Sequence, residues 1–80
     1  MGRKQTKRPK TIVGKRLMIL KKEYAMTNRQ IEEDLGVSHQ AVSFWLNRYV
    51  YPQTEVIIKI CKVYGVSADW LLGLSDERKR

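Results

Sequence analysis

The side chains of this 80-residue chain that could do chemistry are mostly cations. Arg3, Lys4, Lys7, Arg8 and Lys10 crowd the first ten residues with no acid among them. That segment therefore holds +5 of the formal net charge of +8, and the other seventy residues hold only +3. Concentrated positive charge favours a polyanionic partner. Groups suited to covalent or metal chemistry are scarce. His39 is the only histidine and Cys61 the only cysteine, which excludes a His/Cys zinc cluster and an intramolecular disulfide. There is no Ser/His/Asp set and no glycine-rich phosphate loop. No enzyme activity, metal or cofactor is expected. Cys61 falls in an apolar helical run and reads as a buried small side chain rather than a reactive thiol.

The most informative segment is Thr27 to Asn47, TNRQIEEDLGVSHQAVSFWLN. Ile31, Leu35, Val37, Val42 and Trp45 are its apolar positions. Gly36 separates two helical periods, where a helix end commonly needs a positive φ. Ser38 follows as an N-cap for the second run. Two short helices at a sharp angle bury little by themselves, but they can present one helix to a groove. That is the helix-turn-helix plan, in which the second helix enters the DNA major groove.

The rest of the chain supplies the elements that must position this pair. Val13, Leu17, Leu20 and Tyr24 recur on one face of a helix from about Thr11 to Ala25, after Pro9. Thr27 caps a second helix over Asn28 to Leu35, with Gln30 completing a capping-box pair. The third helix runs over His39 to Asn47, with Trp45 continuing the Val42 face into the core. Arg48 to Gln53 is a loop closed by Pro52. Thr54 to Tyr64 is a fourth helix with Ile57, Ile60, Cys61 and Tyr64 inward. Gly65 ends it, Ser67 caps the next, and Ala68 to Leu72 form a short fifth helix with Trp70 and Leu71 available for the core. Gly73 ends that one. The expected organisation is all-α: a basic flexible arm over 1–10, a helix-turn-helix domain over 11–74 and a polar tail over 75–80. No apolar run approaches the ~18 residues of a membrane span, and none follows the basic N-terminus in the manner of a signal peptide. A cytoplasmic location is expected.

At the level of whole motifs, the chain resembles the lambda-repressor-like, or Cro-like, DNA-binding domains of phage and bacterial regulators. The likeness covers about Val13 to Gly73. It is carried by Leu20, Met26-Thr27, Leu35 to Ser38 (LGVS), the Val42 and Trp45 positions, Pro52 and the ending GVSADWLLG. It implies a compact five-helix bundle, double-stranded DNA as partner, a homodimer on a two-fold operator, and transcription regulation, with a phage-type repressor leading. An antitoxin or restriction-modification controller of the same fold is the alternative, and a protein-interaction module that binds no DNA is a more distant one. Several positions depart from the family pattern. Asn28 stands where Gln is usual, Glu32 where Ala is usual, and Arg48 where Gly often follows the third helix. Lys21 and Leu46 replace a frequent Arg and Glu pair, exchanging it for an apolar contact and a snorkelling lysine.

By position, His39, Gln40, Ser43 and Phe44 match the family's base-facing set. The Gln40 amide can both donate and accept, which suits adenine N6 and N7. His39 can donate to a guanine N7 or a phosphate, or stand merely exposed. Phe44 either packs on a thymine methyl or turns inward beside Trp45. Backbone contacts are expected from Asn28 and the first amides of the second helix, and from Arg29, Arg48, Tyr49 and Tyr51. The arm residues Arg3, Lys4, Lys7 and Arg8 join that set. Tyr49, Tyr51 and Val50 can equally line a dimer contact. Glu32, Glu33 and Asp34 should face away from DNA. Ile58, Val66, Leu72 and Leu74 exceed what one small core requires, which marks helices four and five as dimer surface.

Overall fold

A computed structural model describes residues 11–79. The arm cations Arg3, Lys4, Lys7 and Arg8 lie outside the described residues. Five helices follow one another: α1 (Ile12–Glu23), α2 (Asn28–Leu35), α3 (His39–Asn47), α4 (Thr54–Tyr64) and α5 (Ala68–Leu71). Local chemistry accounts for most of their ends. Thr11, Thr27, Ser38 and Ser67 each accept, through the side-chain hydroxyl, from the backbone N–H three residues on, satisfying a donor that the helix cannot. Gly36 stops α2 at φ +65°, a conformation that costs an L side chain about 1–2 kcal/mol. Ala25 adopts φ +51° without that exemption. Its N–H donates to Lys22 O, and the N–H of Met26 donates to Lys21 O, closing the end of α1.

The apolar periodicity converges on one core. Val13, Leu17 and Leu20 of α1 meet Ile31 and Leu35 of α2, Val42, Trp45 and Leu46 of α3, Ile60 and Cys61 of α4, and Trp70 and Leu71 of α5. Each fully buried aliphatic side chain contributes about 1.5–3 kcal/mol of transfer free energy. Leu46 is buried and Lys21 half-buried, which fits the exchange of a charged pair for an apolar contact. α1 packs on α3 and α5, α2 on α3 and α4, and α4 on α5. The helix-turn-helix pair is therefore held from behind by α1 and α4. Two polar ties reinforce the α2–α4 contact: Tyr64 Oη donates to Asp34 Oδ2 at 2.9 Å, and Lys59 Nζ donates to the Leu35 carbonyl at 3.2 Å. The second sits at the C-terminus of α2, where unpaired carbonyls favour a cation.

Two expectations are corrected. Tyr24 lies beyond the end of α1 and is 51% exposed, with its ring 6.4 Å from that of Tyr64. Val66 is 2% exposed and belongs to the core. Its N–H donates to Cys61 O as the chain leaves α4, and that turn directs its side chain inward. Ile58, Leu72 and Leu74 are exposed, as a surplus of apolar residues requires. Residues 75–79 of the polar tail are docked on the bundle. Arg78 makes two hydrogen bonds to the Glu23 carboxylate, at 2.6 and 2.7 Å, with its guanidinium 5.3 Å from the Trp70 ring. Ser67 N–H donates to Arg78 O, and an isolated antiparallel bridge joins Val66 to Lys79. Asp76 approaches Arg16 at 3.7 Å. This strap fastens the end of α1 to the entrance of α5.

Candidate nucleic-acid interface

α3 has two chemically distinct sides. Val42, Trp45 and Leu46 are buried, while His39 and Gln40 are exposed and Ser43 and Phe44 half-buried. Positions i, i+1, i+4 and i+5 form one continuous stripe on a helix, so all four expected base-facing residues share the side opposite the core. Their immediate surroundings differ. Gln40 has no side-chain hydrogen bond among the described residues, so its amide is uncommitted. His39 Nδ1 donates to Glu32 Oε2 at 2.9 Å. Ser43 Oγ accepts from Asn47 Nδ2 at 3.4 Å. Phe44 lies under the Arg48 guanidinium, 4.6 Å from its ring centre.

Phe44 also lines a groove of about 450 Å³ with Trp45, Ser38, Val50 and Tyr51. It therefore sits beside Trp45 at the edge of the core while keeping one face toward Arg48. The same groove brings the loop after α3 against the outward side of that helix. Arg48 leaves α3 at φ −135° and ψ 173°, an extended conformation open to any residue, so no glycine is needed there. Tyr49 and Tyr51 are 78% and 56% exposed on this loop.

The helix ends are arranged for anions. The first turns of α2 and α3 contain no acid, whereas those of α4 and α5 contain Glu55 and Asp69. The Thr27 and Ser38 caps satisfy one N–H in the first turns of α2 and α3, and further first-turn amides stay available to an acceptor. Asn28 is half-buried, and its Oδ1 is buried without a hydrogen-bond partner. An amide carries its donor opposite its acceptor, so an inward Oδ1 leaves Nδ2 as the outward end. Arg29 is exposed and pairs with Glu33 at 3.5 Å across one helical turn, a contact that solvent renders weak.

The acids of α2 do not all behave as expected. Asp34 is engaged with Tyr64 of α4 and Glu33 with Arg29, but Glu32 turns toward the first residue of α3. At the α2–α3 crossing the Glu32 side chain bends to His39. Sequence reasoning missed this link, and also that of Asn47 to Ser43. Glu32 and His39 belong to successive helices, and helical spacing rules do not reach across a turn, whereas Asn47 and Ser43 stand four residues apart within α3.

The helix-turn-helix family model matches residues 17–71. The chain is similar to the HTH-type transcriptional regulator ImmR of Bacillus subtilis, with 29% identity over 68 residues, covering 85% of this chain and 54% of that protein. It is also similar to the uncharacterized HTH-type transcriptional regulator YobD of the same organism, with 27% identity over 62 residues, covering 78% of this chain and 55% of that protein. The chain thus spans about half the length of the curated relatives it matches, and both carry the names of regulators, not of enzymes. No solved structure gives a significant match. With the five helices in order and most of the chain matched, the protein belongs to the lambda-repressor-like helix-turn-helix family.

Proposed function

We propose that this chain is a sequence-specific double-stranded DNA-binding transcriptional regulator, a phage-type repressor acting as a dimer on a two-fold operator. One observation carries the reading: a polar stripe, with His39 and Gln40 exposed and Ser43 half-buried, on a helix whose opposite side is locked into the core and whose first turn is free of acid. α3 enters the major groove with its N-terminal residues against base edges. Gln40 reads adenine, His39 and Ser43 contribute further polar contacts, and Phe44 meets a thymine methyl. Asn28, Arg29, Arg48, Tyr49 and Tyr51 grip the backbone on either side, and the arm cations Arg3, Lys4, Lys7 and Arg8 add phosphate contacts. The exposed apolar residues Ile58, Leu72 and Leu74 form the contact between two copies.

Selection of bound sequences from a random DNA pool tests the reading directly. The expected product is a short inverted repeat with half-sites about one helical turn, roughly 10 base pairs, apart. Enrichment of a single isolated half-site with no cooperativity in titration refutes the dimer. No enrichment of any sequence refutes specific recognition.

A further inference from the structure

The side chain of Glu32 stands apart from the other acids of α2. It is 20% exposed, it lies at the crossing of the two helices that would meet DNA, and its Oε2 is 2.9 Å from Nδ1 of His39, itself 76% exposed. A carboxylate only accepts hydrogen bonds, so Nδ1 must be the donor and must carry a hydrogen. That assignment leaves Nε2 as the outward nitrogen of the ring.

We propose that Glu32 is a positioning residue that tunes DNA affinity, presenting Nε2 of His39 as a hydrogen-bond donor to an acceptor on the DNA, either a guanine edge or a phosphate oxygen. The inference rests on the DNA-binding reading above. With Nδ1–H given to Glu32, a neutral ring has only a bare lone pair at Nε2. One more proton turns that nitrogen into a donor. DNA brings phosphates to one side of the ring while the carboxylate occupies the other, so docking places the imidazole between two negative groups and draws a proton from solvent. The positive ring in turn screens Glu32 from the phosphates, which is how an acid is tolerated so near the interface. Glu32 is the charged side chain in contact with His39 among the described residues: Arg29 pairs with Glu33, Asp34 with Tyr64, and Lys59 with the Leu35 carbonyl.

The full chain without a histidine tag suits the test, because its single histidine gives one imidazole signal set. Long-range ¹H–¹⁵N correlation spectra of the free protein should show the Nδ1–H form at pH 8, and the Nε2–H form in Glu32→Ala. Glu32→Gln still offers an oxygen to Nδ1 and should keep the wild-type form. Imidazole is the side chain that changes charge between pH 5 and 8. Wild-type affinity for its selected operator should therefore rise by about tenfold from pH 8 to pH 6, the equivalent of one charge-assisted hydrogen bond. Glu32→Ala should flatten that dependence, and Glu32→Gln should reduce it. Operators with single 7-deazaguanine or methylphosphonate replacements locate the acceptor: loss of the pH dependence at one base or at one phosphate supports the proposal in either form. Identical imidazole spectra in wild type and Glu32→Ala overturn it, as does an equal pH dependence in the two. Failure of the wild type to bind any duplex at any pH overturns the DNA-binding reading and this one with it, while the spectra of the free protein still decide whether Glu32 orients the ring.

Discussion

Gln40→Ala and Val42→Ala alter neighbouring positions on one helix and should produce opposite phenotypes. Val42 is 0% exposed, in the middle of the core, whereas Gln40 is exposed and holds no side-chain hydrogen bond among the described residues. Truncating Val42 removes two carbons from a packed site. At about 0.8 kcal/mol per buried methylene, plus the residual cavity, the cost is about 2–3 kcal/mol. For a domain of this size that lowers Tm by about 10–20 °C. Below the transition the folded population should bind with unaltered base preference, because the outward stripe is untouched. Gln40→Ala should move stability by no more than about 0.5 kcal/mol, since Ala is the better helix former. It should cost about 1–3 kcal/mol on the specific site, or roughly 5- to 150-fold in affinity, concentrated at one base pair per half-site. Non-specific binding should barely change, because no charge is lost. The assay pairs thermal melts by circular dichroism with competition titrations over all four bases at each operator position. If Gln40→Ala weakens every sequence equally, Gln40 is a backbone contact, and readout passes to His39, Ser43 or Phe44. If it melts the domain as Val42→Ala does, the division of α3 into two sides is wrong.

Deleting residues 1–8 removes Arg3, Lys4, Lys7 and Arg8. If these touch phosphates, a salt titration should show weaker binding and a slope reduced by up to about 0.9 for each lost contact, and an unchanged slope would leave the arm without a role at the DNA. Ala25→Gly relieves a left-handed alanine at φ +51°. About 1–2 kcal/mol of relief against about 0.4–1 kcal/mol of added unfolded-state entropy predicts a net gain of about 0.5 kcal/mol, readable as a higher Tm. Burial, with the Asp34 carboxylate in support, pushes the Tyr64 phenol above its ordinary value of 10.0. Because the folded pKa exceeds the unfolded one, the contribution of this group to stability is complete below pH 10 and is lost as pH rises through the folded value. Denaturant melts should therefore show Tyr64→Phe losing less stability than wild type above pH 10.

Much of this protein was legible without coordinates wherever the cause is local. Thr27, Ser38 and Ser67 announce helix starts because a hydroxyl three residues before a free N–H satisfies it in any context. Gly36 and Gly65 announce stops because the left-handed turn selects for a missing Cβ. The spacing of Val13, Leu17 and Leu20, and of Val42 and Trp45, identifies the buried sides, since a helix repeats every 3.6 residues wherever it sits. The set His39, Gln40, Ser43 and Phe44 is what the resemblance to the family's base-facing positions implies. Tertiary structure alone decided the rest. Val66 is core and Tyr24 is not, because each lies just past a helix end, where the period no longer dictates direction. In the polar run after Leu74, Arg78 finds Glu23 from 55 residues away, and nothing in a string of charges names such a partner. Glu32 reaches His39 across a turn whose angle is set by the packing of α1 and α4 behind the pair. Local signals place the elements because short-range sterics and hydrogen bonds are the same in every fold. Which side chains meet between elements depends on crossing angles that only the assembled core determines.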